Sequence, residues 1–416
     1  MNLYHARLLI LFLYIIKEGF ERVVQYVNLR HMTNAGIEVI AEFEGKIDAQ
    51  QLGRIRAYET DKTLFGFVAS TAGNIVVIVF IFGGLLERYN AWIVSLSQSF
   101  IVSGWLFFLL LSYAGEIASA PFNLYSIFSI EKRHGFNTMT LHLWLSDFLK
   151  SLFISTVMLS VVLISVLWLV QWSPAHCWFW VWGSLFIFSI LVMYISPYVI
   201  EPLFNKFTPV EDELLRDKII ALTKKAGIKA SRILKVDASR RSRHTNAYFA
   251  GIGRTKRAVL YDTLLEQMDS GEILSVLAHE IGHWKKKHLL KMLAVFETFS
   301  FLGIYVSYRI IQSNMLPHIF GIGAGTFFVK ITLLGFVAEI FLFPLRLIVN
   351  FISRRHERQA DLASYELTGE TASLIRALVK LSKENLSNLQ PHPLYVALFY
   401  SHPPVVERIR YLKALA

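Results

Sequence analysis

Residues 269–303 read DSGEILSVLAHEIGHWKKKHLLKMLAVFETFSFLG, and two kinds of helix meet inside them. Asp269-Ser270-Gly271-Glu272 offers a helix start, and apolar residues at helical spacing run from there through His283. From Leu289 onward the stretch is apolar for membrane length, about 20 residues for a hydrocarbon core of ~30 Å. Lys285, Lys286 and Lys287 stand at the junction, as basic residues do at a membrane surface. His288 is expected to share that basic surface face. The chain thus passes here from a polar segment into a bilayer.

The rest of the chain agrees. At 416 residues it has the length of two or three soluble domains, but 54% of its residues are apolar and only 18% charged. With a mean hydropathy of +0.45, this is the balance of a polytopic membrane protein carrying a polar portion. The net charge of +11 would suit nucleic acid, anionic lipid or membrane topology. Its Lys and Arg concentrate between apolar runs, so topology accounts for it and no nucleic-acid role is expected. The single Cys177 excludes an intrachain disulfide and a cysteine-rich zinc site. The first apolar stretch lacks a basic leader and a small-residue cleavage site, and reads as a retained helix.

Seven runs have the length to span, near 3–28, 63–86, 98–124, 147–171, 176–199, 289–313 and 324–350. Lys17, Glu18 and Glu21 make the first the least apolar. Basic residues mark the 46–62 and 131–150 connections, the 201–291 segment and the tail from Arg354, while 87–97, 172–175 and 314–323 are nearly free of them. This alternation predicts an N-terminus outside and a C-terminus in the cytoplasm. The expected organisation is helices 1–5 over 1–200, a polar domain over 201–288, helices 6–7 over 289–350 and a polar tail over 351–416. Within 201–288, a helix is expected over 211–226 and strands at 233–236 and 258–261. A further strand-like run, 245–253, is closed by glycines.

His279-Glu280-Ile281-Gly282-His283 places two imidazoles four residues apart, on one helix face, where they can share one ion. Glu280 is adjacent and can take a proton from water bound at the ion's open position. Zinc, one Zn2+ per chain, would bring that water's pKa towards neutrality. Three specified residues match by chance somewhere in such a chain in roughly 5% of cases, so a third ligand is required evidence. Glu357 is the best candidate. A helix leaving the seventh span puts Glu357 and Asp361 on one face, the first as ligand and the second accepting a hydrogen bond from a ligand histidine. An extended motif would need a histidine at 289, which is Leu289.

Six segments together resemble the type I CAAX prenyl endopeptidase family of integral-membrane zinc proteases. They are Pro121–Ser126 with Phe136-Asn137, Pro202–Pro209, His244–Phe249, His279–Trp284, Glu357–Asp361 and Ser401–Pro404. The resemblance implies an all-α, seven-helix bundle enclosing a chamber, with a gluzincin-like zinc protease domain carrying a small β-sheet. It implies an endopeptidase that removes residues after a prenylated C-terminal cysteine. His279, His283 and Glu357 match the ligands and Glu280 the general base, while Asn246, Ala247 and Tyr248 match a substrate-binding edge. His402 and Arg408 match tail residues that approach the peptide and can stabilise an oxyanion. Capping and ion pairing in a C-terminal helix would explain those two nearly as well.

The expected partners are a peptide or prenylated protein C-terminus and membrane lipids, with the chain a monomer. A bacterial inner membrane or the endoplasmic reticulum would house it, the site facing the cytoplasm. The alternatives are a quality-control protease without prenyl dependence, and a transporter or scaffold with a structural zinc site. A site-two-type protease is excluded by the missing Leu-Asp-Gly. Glu116, Glu297, Lys330 and Glu339 fall inside expected spans, where either a hydrated interior or structural pairing would explain them.

Overall fold

The computed structural model describes residues 3–34, 41–228, 232–251, 257–323 and 325–416. The chain opens with α1 (Leu3–Asn34), α2 (Ala49–Phe82) and a short α3 (Leu85–Leu96). Three long helices follow: α4 (Phe100–Tyr125), α5 (Leu141–Trp172) and α6 (Cys177–Ile195), the last leading into α7 (Glu201–Phe204). Asp48, Ser99 and Thr140 cap α2, α4 and α5, each accepting from the backbone N–H three residues on. These caps occupy donors that a helix start leaves unpaired. π turns at Ser126–Glu131 and Ser196–Ile200 extend α4 and join α6 to α7.

The polar domain begins with β1 (Phe207–Pro209), α8 (Glu213–Lys225) and β2 (Arg232–Val236). It continues with β3 (Ala247–Ala250), β4 (Arg257–Tyr261), α9 (Asp262–Gln267) and α10 (Ser270–Lys285). After α10 come α11 (His288–Gln312), α12 (Met315–Phe320), α13 (Phe327–Leu342) and α14 (Leu345–Thr368). The tail adds α15 (Ala372–Glu384), α16 (Pro393–Phe399) and α17 (Val405–Leu415). The sheet order is β1-β2-β4-β3, with β2 and β4 parallel and the outer pairs antiparallel, so β3 has one open edge. Of the strand-like run 245–253, the strand itself is Ala247–Ala250, and Ile252 and Gly253 lie outside the described residues.

Among the described residues, five helices are long and apolar enough to cross a membrane, or six if one bent pair is counted as a single span. The expected seventh span, 324–350, is not one straight helix. α13 and α14 meet at Phe343-Pro344 with a bend of 59°. Pro344 has no backbone N–H and its ring crowds the preceding turn, which ends α13 there. α1 is continuous but is not among the apolar crossings, because its second half is charged. Lys17 is 8% exposed and pairs with Glu18 at 2.6 Å, Glu21 at 3.2 Å and Glu339 of α13 at 2.8 Å. Glu339 is therefore a paired structural charge that ties α1 to the bundle.

Apolar packing is concentrated at the two ends of the bundle. Leu86, Ile93, Phe107, Phe320 and Phe328 join α3, α4, α12 and α13 at one end. At the other, Ile55 and Tyr58 of α2 pack with Leu374, Leu378, Ile409 and Leu412 of α15 and α17. Between these ends the contacts thin out: α5 buries Leu143 and Leu167, and α6 buries Cys177.

α10 and α14 pack closely. A Cβ on Gly282 would sit 2.8 Å from Ala363 Cβ and 3.0 Å from Ala360 Cα. Ser364 Oγ also donates to Ser275 O at 2.9 Å across the same seam. Gly282→Ala is expected to separate the helices and cost about 1–3 kcal/mol, measured as a lower Tm of the detergent-solubilised chain; an unchanged Tm would show that the seam has slack.

Candidate metal centre

α10 is anchored at its start. Asp269 accepts from Glu272 N at 2.9 Å, Glu272 accepts back from Asp269 N at 3.0 Å, and Lys380 of α15 pairs with Glu272 at 2.7 Å. This reciprocal cap fixes where the helix begins and therefore which face each later residue occupies. Three turns on, His279 and His283 present their Nε2 atoms 3.2 Å apart. Glu357, on α14, completes the group: Oε2 lies 3.3 Å from His279 Nε2 and Oε1 lies 3.2 Å from His283 Nε2.

These three residues can offer ligand atoms that all lie within 4.8 Å of one another. Glu357 Oε2 is buried and takes no hydrogen bond. A buried carboxylate oxygen is costly in that state, and a cation between it and two imidazole lone pairs removes the cost. The residues therefore fit a metal ion. Two nitrogens and one carboxylate oxygen suit a borderline transition metal and leave a coordination position open.

Asp361, fully buried, lies one turn beyond Glu357, and its Oδ1 is 2.8 Å from His279 Nδ1. With the Nδ1 proton donated there, His279 Nε2 keeps a lone pair. Arg408 of α17 grips the same carboxylate through two bonds, Nη2 to Oδ1 at 2.6 Å and Nε to Oδ2 at 3.0 Å. Burial disfavours the Arg408 charge, and Asp361 more than restores it.

Glu280 is half-buried, and burial pushes its carboxyl up against the opposite pull of His279 and His283. A carboxylate so placed is a better proton acceptor than one in water. It lines a 150 Å³ cleft with His279, Glu357, His402, Arg408 and the Asn246-Ala247 end of β3. His402 is exposed, with Nε2 3.4 Å from Glu357 Oε1. Tyr248 is directed elsewhere: its hydroxyl donates to Glu201 at 2.7 Å, beside the Arg257–Glu201 pair at 2.8 Å. Of the expected peptide-edge residues, Asn246 and Ala247 line the cleft and the Tyr248 side chain does not.

His288 is placed differently from the surface face expected for it. It is 3% exposed, with Nδ1 3.1 Å from His283 Nδ1 and Nε2 2.9 Å from Gln359 Oε1. Lys287, at φ 57°, separates α10 from α11, and His288 at the start of α11 is buried. Helical spacing cannot be carried across such a break. Gln359 had no sequence signal beyond lying between Glu357 and Asp361.

A polytopic helical bundle with a two-histidine, one-glutamate centre and a carboxylate at its open side defines an integral-membrane metalloendopeptidase. Residues 28–206 match the family model described as CAAX prenyl protease N-terminal, five membrane helices, and residues 209–416 match peptidase family M48. The CAAX prenyl protease 1 homolog of Arabidopsis thaliana is 35% identical over 403 residues, covering 92% of this chain and 93% of its own. CAAX prenyl protease 1 of Saccharomyces cerevisiae is 32% identical over 417 residues, covering 94% and 91%. The crystal structure of S. mikatae Ste24p superposes with a TM-score of 0.92 at 31% identity, covering 98% of this chain and 99% of that one. The chain belongs to peptidase family M48, among its CAAX prenyl proteases.

Asp361→Asn is expected to weaken metal affinity about 10–100-fold, the usual loss when a ligand histidine's partner is changed. Chelator competition on the purified chain measures it, and an unaltered affinity would remove Asp361 from the site.

Proposed function

We propose that this chain is a zinc endopeptidase that cleaves after the prenylated cysteine of CAAX-type C-termini, at a site facing the cytoplasm. The observation that carries the reading is the convergence of His279, His283 and Glu357 in a cleft that also holds Glu280 and the open end of β3. The substrate follows from the relatives' names, CAAX prenyl protease 1 in plant and yeast.

Bound zinc would supply a Lewis acid and lower the pKa of water at the open position. Glu280 takes the proton from the attacking water and delivers it to the leaving amine. An extended peptide adds as a strand along the free edge of β3, which holds the scissile carbonyl beside Glu280. His402, exposed at the cleft wall, donates to the developing oxyanion. Arg408 is already bonded twice to Asp361, so its first role is to hold Asp361 and thereby His279.

The surroundings support the same reading. α5 and α6 bury few residues, which suits helices wetted on an inner face and bathed by lipid on the other. Phe153, Ile187 and Phe296 are large, apolar and exposed, as lipid-facing side chains are. α1, 32 residues long and tied in by Lys17, serves as the further span that makes seven around a chamber. The basic connections support a cytoplasmic side for the protease domain, assembled from 201–288 and 351–416. All three ligands come from one chain, so a monomer suffices.

Glu280→Gln is expected to keep one zinc per chain and lower kcat by at least about 10²–10⁴-fold, the range for a lost general base. Metal analysis and single-turnover assays read the two quantities; near-normal turnover would refute the assigned role. Mass spectrometry of products from matched farnesylated and unprenylated CAAX peptides tests the substrate. Cleavage after cysteine in the farnesylated peptide alone is expected, and equal cleavage of both would favour a general membrane protease.

A further inference from the structure

His279 has a carboxylate behind it, but the outer nitrogen of His283 faces another imidazole. His283 Nδ1 lies 3.1 Å from His288 Nδ1, and His288 Nε2 lies 2.9 Å from Gln359 Oε1 on α14. His288 also stacks on His356, with ring centroids 4.0 Å apart and planes 8° from parallel. It is 3% exposed, so its ring is held on the face as well as at both nitrogens. The turn at Lys287 makes this possible: in an unbroken helix His288 would stand about 140° around the axis from His283.

Three groups in a row can pass two hydrogens in either of two directions. In the first, Gln359 Oε1 accepts from His288 Nε2–H, and His288 Nδ1 accepts from His283 Nδ1–H. His283 Nε2 is then a bare lone pair aimed at the space shared with His279 and Glu357. In the second, the Gln359 amide donates, His288 donates to His283, and His283 Nε2 keeps its hydrogen. Only the first direction leaves His283 able to ligate, and it is the one in which Gln359 presents Oε1. Ligand histidines generally depend on such an outer hydrogen bond for tautomer and ring angle.

We infer that His288 and Gln359 are positioning residues that fix the tautomer and orientation of His283, as Asp361 and Arg408 do for His279. The inference rests on the metal-site reading above. It makes the two ligands unequal: a charged pair backs His279 and a neutral pair backs His283. It also gives α14 two contributions to the centre, Glu357 directly and Gln359 through His288.

The test uses the full-length chain in detergent. Zinc affinity by chelator competition, the Tm of the metal-free chain, and kcat and KM on a CAAX peptide are compared across variants. His288→Ala is expected to weaken zinc about 10–100-fold and lower kcat with little change in KM, while the metal-free Tm reads separately the cost of emptying a buried position. His288→Asn, whose Oδ1 can stand where Nδ1 accepts, should recover most of the lost affinity. Should His288→Ala fail to fold, Gln359→Glu keeps an acceptor and should hold wild-type zinc affinity, whereas Gln359→Met should lose it several-fold. Wild-type zinc affinity in His288→Ala, or no recovery in His288→Asn, would overturn the positioning role. So would equal zinc affinity in Gln359→Glu and Gln359→Met. A wild-type chain that takes up no zinc would overturn the metal-site reading as well, and so is distinguishable from failure of this inference alone.

Discussion

The near-contact of α10 and α14 at Gly282 is the constraint on which the site depends. Two histidines four residues apart give a metal only two donors, and the third member of the group comes from α14. Glu357 reaches them because nothing larger than hydrogen stands on Gly282 and nothing larger than methyl on Ala360 and Ala363. The same closeness lets Ser364 bond Ser275 O and Gln359 reach His288. One steric condition thus supplies a ligand, an outer hydrogen-bond partner and a rigid seam.

The approach in turn depends on how each helix leaves the membrane. α13 stops at Pro344 and α14 departs at 59°, which lays its polar length against α10. On the other side, α10 stops at Lys286 and the left-handed Lys287 redirects the chain into α11. The first break falls within the apolar run 324–350, and the second just before the run 289–313. The metal centre is built on the two helices beside those breaks, α10 and α14.

Charge is arranged with the same economy. Asp361 is fully buried and would be very costly alone, but Arg408 satisfies it with two bonds and His279 with a third. Glu357 Oε2 is buried without a hydrogen bond, at the point where an ion belongs. Away from the site, Lys17 gathers Glu18, Glu21 and Glu339 in a separate cluster that holds α1 in place. Among the described residues, the buried ionic groups face the metal position, join helices, or, as Arg257 does with Glu201, tie a strand to a helix.

Much was legible in one dimension because it depends only on local spacing. The apolar runs follow from bilayer thickness, and the pairing of His279 with His283, and of Glu357 with Asp361, follows from 3.6 residues per turn. The family resemblance rests on short ordered segments and so was legible too. Tertiary structure alone decided the rest. It set the angle at which the chain turns after Pro344, turned His288 from the expected surface into the core, engaged Arg408 with Asp361, and sent Tyr248 to Glu201 instead of the cleft. These are contacts between elements far apart in sequence, or changes of direction at a single residue. Periodicity describes a helix only until the next break, and which faces then meet is settled by packing.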